Sequence, residues 1–184
     1  MRQGLLTIAV AASLLAVGPA HGQSGFWRDR SGKPVAETKS MKSAKGFGGS
    51  LFVTTDADWR EKWDTPADTT PSFNRADVVP YGKKVFVLIF FSNPMLDAQG
   101  NANLRCDLQI DTPAGEVSFV QKDMSCHAGK IGGSLYNTYL STPVIAFTGD
   151  PGDPVGRWEV KVVLRDAVRG VDLHLRTGFG LREK

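Results

Sequence analysis

Cysteine and histidine are the scarcest reactive side chains of this 184-residue sequence, which holds two cysteines and three histidines. Cys106 and Cys126 lie 20 residues apart, whereas redox-active or metal-binding pairs usually have the closer C-x-x-C spacing. In an oxidising compartment, the expected product is a structural disulfide between them. In the chain-entropy model, closing a loop of about 20 residues stabilises the fold by about 3 kcal/mol.

The spacing of histidine and aspartate offers one metal-binding alternative. Asp172 and His174 share one face of a predicted strand, and His21 becomes the N-terminal residue if a leader is cleaved after Ala20. A terminal amine and its own imidazole suit Cu(II), which favours nitrogen ligands in tetragonal geometry. The arrangement resembles that of periplasmic copper-binding immunoglobulin-like proteins, which pair an N-terminal His with an Asp-x-His. A copper site is therefore an alternative interpretation.

Other familiar reactive motifs are missing from the sequence. It contains no G-x-S-x-G, P-loop, H-E-x-x-H, EF-hand or G-x-G-x-x-G pattern. The acidic loops 97–101 and 150–154 offer two or three oxygen ligands each, whereas Ca²⁺ takes about six to eight. His127 and His174 are interpreted as exposed residues. We predict no cofactor, no resident metal and no enzymatic activity, with an enzyme of unrecognised type as the alternative.

The first segment has the layout of a secretory signal peptide. Arg2 precedes an apolar run over 5–17, and small residues follow where signal peptidase requires them. We assign residues 1–22 to a cleaved signal peptide, with the mature chain beginning at His21 or Gln23. The run is too short to span a membrane, and no other stretch is long and apolar enough. We expect a soluble protein of the periplasm or the extracellular space.

Residues 23–46 are predicted to form a basic, flexible arm. They contain six basic and two acidic residues and show neither helical nor strand periodicity. Phe26 and Trp27 either anchor the arm on the domain or contact a partner, and with Arg28 and Arg30 they form the predicted partner-binding set. Since export makes nucleic acid an improbable ligand, we expect an envelope protein or an anionic envelope polymer. The oligomeric state is left open.

From residue 47 onward the pattern is that of short strands. The run over 84–91 is continuously apolar, as in a central strand covered on both faces, whereas polar and apolar residues alternate in the later strands. One short helix is expected over 56–63, where Trp59 and Trp63 share a face that plugs one end of the core. The expected strands are 47–54, 84–91, 103–111, 117–121, 140–147, 157–165 and 171–181.

These strands and turns predict an all-β fold, an antiparallel β-sandwich over 47–184 with about seven strands and one short helix. The closing stretch Gly156–Val162 with Asp166, followed by the alternating last strand, resembles the final two strands of bacterial immunoglobulin-like modules. That resemblance implies an immunoglobulin-like fold and no particular activity. With 41% hydrophobic residues and a net charge of +3, the chain is neither disordered nor a polyelectrolyte. We predict an exported, soluble, non-enzymatic binding or accessory protein of the cell envelope.

Overall fold

The computed structural model describes residues 26–29, 31–66 and 71–184, and these residues are mostly in β-strands. Two five-stranded sheets pack face to face around a core of buried hydrophobic side chains. The prediction of an all-β fold is confirmed, with ten strands rather than about seven. In chain order the elements are β1 (Met41–Ala44), β2 (Phe47–Thr54), α1 (Trp59–Trp63), β3 (Val78–Pro80), β4 (Lys84–Ser92), β5 (Ala102–Asp111), β6 (Val117–Gly129), β7 (Tyr139–Leu140), β8 (Ile145–Thr148), β9 (Gly156–Asp166) and β10 (Val171–Arg182).

Strand β4 is the centre of the first sheet, with β2 on one side and β7 and β8 on the other. Its inward residues, among them Val87 and Ile89, belong to the main core. Its outward residues are covered as well: the ring of Phe90 lies 5.3 Å from that of Trp63 and 6.1 Å from that of Phe73. Because both faces are covered, the strand is apolar throughout, as predicted.

Helix α1 is shorter than the predicted helix over 56–63 and packs outside the main core. The Trp59 ring lies 6.2 Å from that of Phe86 on the outward face of β4. Asp56 precedes the helix and is nearly buried, and it binds Lys62 Nζ at 2.9 Å and the backbone N–H of Asn74 at 2.8 Å. The tryptophans therefore cover the first sheet rather than plug one end of the core. No helix of the described residues is long and apolar enough to cross a membrane.

The last part of the predicted arm is a strand. β1 pairs with β2 through the two-residue turn Lys45-Gly46, where φ is 49° and 80°. Positive φ at both central residues suits a two-residue hairpin, and Gly46 adopts it without strain. The prediction of a flexible arm that ends at residue 46 is therefore wrong for Met41–Ala44. Asn or Asp usually precedes the glycine in such turns, so the Lys-Gly pair is a weak sequence signal for a hairpin.

The second sheet has the strand order β3-β10-β9-β5-β6. β9 and β10 form the predicted terminal hairpin, with Val171 opposite Asp166. The predicted alternation is confirmed from Trp158 to Asp166 and from Val171 to Arg176, where buried residues alternate with exposed or half-buried ones. It breaks at Gly178, which is buried beside Phe179. β3 runs parallel to the end of β10, so the prediction of a wholly antiparallel fold is wrong for this pair.

Strand β6 extends well beyond the predicted end at residue 121. The residues that follow 121 are not a loop: as far as Gly129 they continue the strand, which carries Cys126. Three register shifts between β5 and β6, and a φ of 53° at Asp123, disturb the alternation that would have identified it. The Sγ atoms of Cys106 and Cys126 are 2.08 Å apart, and both residues are fully buried. The predicted disulfide is confirmed.

The strand predicted over 140–147 is two short strands, β7 and β8, which both pair with β4. Between them the backbone N–H of Ser141 donates to the carbonyl of Ile89, and that of Thr142 donates to the carbonyl of Cys126. Pro143 follows and has no N–H to contribute to a ladder. The prediction of one continuous strand is therefore wrong at this point.

Candidate functional site

The aromatic pair of the arm lies against the first sheet. A Cβ atom on Gly48 would be 2.1 Å from Phe26 Cε1, so the Phe26 ring occupies space that only glycine leaves. The Phe26 and Trp27 rings are 5.0 Å apart, and both residues are partly buried. Arg28 is exposed and donates to the carbonyl of Gly32 at 2.8 Å. The pair thus has an intramolecular contact, which supports the anchoring alternative and leaves partner binding as a prediction.

Two of the predicted partner or metal residues, Arg30 and His21, lie outside the described residues. Asp172 and His174 do share the outward face of β10, but Asp172 is paired with Arg165 Nε at 3.4 Å. The described ranges hold no group of three or more His, Cys, Asp or Glu side chains that would bind a metal. A copper site would therefore depend on His21.

His127 differs from its expected exposed loop position. It lies on β6 with its ring 5.4 Å from that of Phe91, and its buried Nε2 has no hydrogen-bond partner among the described residues. The prediction of an exposed loop position is therefore wrong, because His127 is half-buried on a strand and packs against Phe91.

The outward face of the second sheet is strongly charged, and most of its charges are paired. The guanidinium of Arg165 donates to both carboxylate oxygens of Asp107, and this hydrogen bonding lowers the pKa of Asp107 to about 2. Hydrogen bonding from Arg105 also lowers the pKa of Asp123, and at Asp111 burial opposes ionisation but hydrogen bonds from Lys161 and Gln109 outweigh it and lower the pKa. The ion pairs are Arg105–Asp123, Lys161–Asp111, Lys161–Glu159, Arg165–Asp107 and Arg165–Asp172.

Three exposed cations beside this network have no carboxylate within 4.0 Å among the described residues. They are Lys39, Arg157 and Arg176, and they line a groove of about 590 Å³. We call this groove, defined by these three residues, the basic groove. Glu159 is the acidic side chain in its lining, and its carboxylate is bound to Lys161 Nζ at 3.2 Å. The basic groove therefore carries an excess of positive charge.

The fold explains why these cations meet. β3 pairs only with Gly180–Arg182, so Arg176 lies on a part of β10 that β3 does not reach, and its backbone N–H donates instead to the carbonyl of Lys39 at 2.7 Å. That hydrogen bond fixes the chain just before β1 alongside β10. Gly178 leaves room for the backbone of β9, since a Cβ atom there would lie 2.2 Å from the carbonyl oxygen of Trp158, and Arg157 Nε would lie 3.2 Å from the same Cβ.

A second, smaller depression of about 190 Å³ adjoins the basic groove and shares Arg176 with it. Lys122 and His174 also line it, and both are exposed. Lys122 has no carboxylate within 4.0 Å among the described residues. The two depressions together present cationic donors from the arm and from three strands, an arrangement suited to binding anions.

Sequence reasoning placed some of these residues correctly but did not connect them. The alternation put Arg157, His174 and Arg176 on the outward face, and Lys39 was counted in the basic arm. The pairing of β10 with the chain before β1 brings them together, and no local pattern reports such a contact between distant segments. An excess of outward cations over outward acids on neighbouring strands was the available signal.

Comparison with known proteins adds little to this picture. No protein-family model matches the chain, and no curated protein matches it. Among solved structures, a family 123 glycoside hydrolase from Clostridium perfringens matches with a TM-score of 0.42 and 9% sequence identity. The match covers 74% of this chain and 28% of that one. A likeness of this degree carries no argument about activity.

Proposed function

We propose that this is an exported, soluble, non-enzymatic protein that binds an anionic component of the cell envelope through the basic groove. The observation that carries the proposal is that Lys39, Arg157 and Arg176 are exposed and have no carboxylate within 4.0 Å among the described residues, beside a sheet in which most other charges are paired. Export rests on the signal peptide predicted over 1–22. The immunoglobulin-like character of the two sheets is part of the same proposal.

The electrostatics of the groove support an anionic ligand. An exposed cation without a carboxylate partner is available to a ligand. A phosphate or carboxylate group of the ligand can accept a charge-assisted hydrogen bond from it. Each exposed contact contributes only about 0.5 kcal/mol, since solvent screens it. Three contacts would contribute about 1.5 kcal/mol, roughly tenfold in affinity, and they should weaken as salt is added.

Two carboxylates, Asp107 and Asp56, have pKa values that do not suit general-acid catalysis. The pKa of Asp107 is held at about 2 by Arg165. Asp56 shows the same behaviour: burial opposes ionisation, but hydrogen bonds from Lys62 and Asn74 outweigh it and lower the pKa to about 2. A general acid needs a carboxyl group whose pKa is raised toward neutrality, and these two groups are shifted the opposite way.

The test is a binding titration of the mature protein with dextran sulfate and with neutral dextran, at low and at high salt. We expect salt-sensitive binding of dextran sulfate alone, weakened about tenfold or more in the variant K39A/R157A/R176A. The matched control is K83A/K84A/K130A, which removes the same charge from exposed lysines outside the groove. Equal losses in the two variants, or no binding of dextran sulfate at low salt, would refute the proposal. Catalytic turnover by the purified protein would refute its non-enzymatic part.

A further inference from the structure

The basic groove and the neighbouring depression form a continuous surface, because Arg176 lines both. From the basic groove the surface passes Arg176 and His174 on β10, crosses β9 and β5, and reaches Lys122 on β6. At the ordinary strand spacing, the three steps from β10 to β6 amount to about 14 Å. A single phosphate or carboxylate group cannot contact both ends of this surface.

The acidic groups along this surface do not cancel its cations. Asp107 is held by Arg165, and Asp111 is held by Lys161 and by the side-chain amide of Gln109. Among the described residues, Arg176 and Lys122 are left without an ion pair at opposite ends of the depression. Both remain near those acids: Arg176 contributes to the lowered pKa of Asp111, and Lys122 to that of Asp107.

We propose that the two depressions form one binding track for a linear polyanion, a polymer that carries phosphate or carboxylate groups along its length. The chain would lie across the outward face of the second sheet, with some of its charges in the basic groove and others at Lys122. The proposal rests on the proposed function and names its ligand class, since it requires several linked anionic groups rather than one. Val163 and Val120 also line the depression, so they offer apolar contacts to the uncharged parts of such a chain.

The distinguishing variant is K122A, which changes only the far end of the track. The control is K130A, an exposed lysine just beyond the end of β6. The probes are tripolyphosphate and a long linear polyphosphate, and oligoglutamates of matched short and long lengths form the carboxylate arm. Affinity is measured by titration calorimetry at low salt, and circular dichroism checks that each variant is folded.

We expect the long polymer to bind more tightly than the short one in at least one arm. K122A should weaken binding of that long polymer about threefold, as expected for one exposed contact, and leave binding of the short one unchanged. Equal affinity for short and long polymers, or a K122A variant that binds both as the wild type does, overturns the track. If K39A/R157A/R176A still weakens binding about tenfold in that case, the basic groove stands and only the track fails. If the wild type binds no anion at all, the proposed function fails with it.

Discussion

Replacing Asp166 by asparagine should be among the most destabilising single changes in this protein. Asp166 is fully buried at the end of β9 and accepts hydrogen bonds from the backbone N–H of Met95 at 2.8 Å and of Arg169 at 2.9 Å. Its carboxylate also lies 3.3 Å from Arg169 Nε. Arg169 donates in turn to the carbonyls of Lys45 and Asn93. One ion pair thus ties together the β9–β10 turn, the β1–β2 turn and the loop after β4.

The expected cost follows from the burial of this pair. The Arg169 side chain is only 15% exposed, so the change D166N leaves a guanidinium without its counter-charge in a site that water hardly reaches. It also directs an amide N–H₂ toward groups that donate hydrogen bonds. Breaking a buried pair by removing one partner typically costs about 3–5 kcal/mol. For a chain of this size, that loss lowers the melting temperature by roughly 10 °C.

The measurement is urea unfolding of the oxidised protein at neutral pH, for the wild type and D166N. The control is D172N, because Asp172 forms a more exposed pair with Arg165 at 3.4 Å and should cost less than about 1 kcal/mol. The buried ion pair is not a stabilising element if D166N loses less than about 1 kcal/mol, or no more than D172N.

Three further predictions concern the disulfide, acid stability and the arm. Reducing Cys106–Cys126 should lower the free energy of unfolding by about 3 kcal/mol, measured by urea unfolding with and without reductant; alkylation of both cysteines before reduction would contradict the bond. The pKa values of Asp56 and Asp107, about 2 in the folded protein, lie below those of the unfolded chain, so the stability they contribute is present above about pH 4 and lost as the pH falls toward 2. We expect each carboxylate to contribute up to about 2 kcal/mol to the free energy of unfolding. The free energy of unfolding of D107N should therefore fall less between about pH 4 and about pH 2 than that of the wild type. An identical pH profile would show that Asp107 does not contribute to the loss of stability in acid. A chain that begins at residue 47 should be less stable in thermal unfolding than a chain that begins at residue 23, because it lacks β1, and an unchanged melting temperature would show that β1 is dispensable.

The elements predicted correctly are those whose signal lies within one segment. The terminal hairpin follows from a period of two sustained over 171–181. The central strand over 84–91 follows from a continuous apolar run, which a strand with one solvent-exposed face would not have. The disulfide follows from having two cysteines and an expected oxidising compartment. In each case the residues that form the structure are also the residues that carry the pattern.

The predictions that failed depend on contacts between segments. β1 is a strand because the Lys45-Gly46 turn folds it back on β2, and its own four residues are only partly buried, so they show no apolar alternation. The strand predicted over 117–121 is shorter than β6 because the pairing of β6 with β5 shifts register three times. These shifts break the period of two that identifies a strand. The basic groove is not predictable from the sequence for the same reason, since Lys39 and Arg176, which both line it, are 137 residues apart in the chain.

The geometry of the basic groove joins the predicted partner-binding arm to the edge of strand β10. Lys39 belongs to the predicted arm, yet its carbonyl accepts the backbone N–H of Arg176 at the edge of β10. The same segment continues directly into β1, which is paired with β2. The backbone at Lys39 is therefore held beside the sheet by hydrogen bonds, so its side chain extends from a fixed position rather than from a flexible tether. Preorganised cations lose less conformational freedom on binding than cations on a flexible tether do. If the basic groove binds an anion, the contribution of the arm comes from this ordered segment, and Arg28 at its other end should matter less than Lys39.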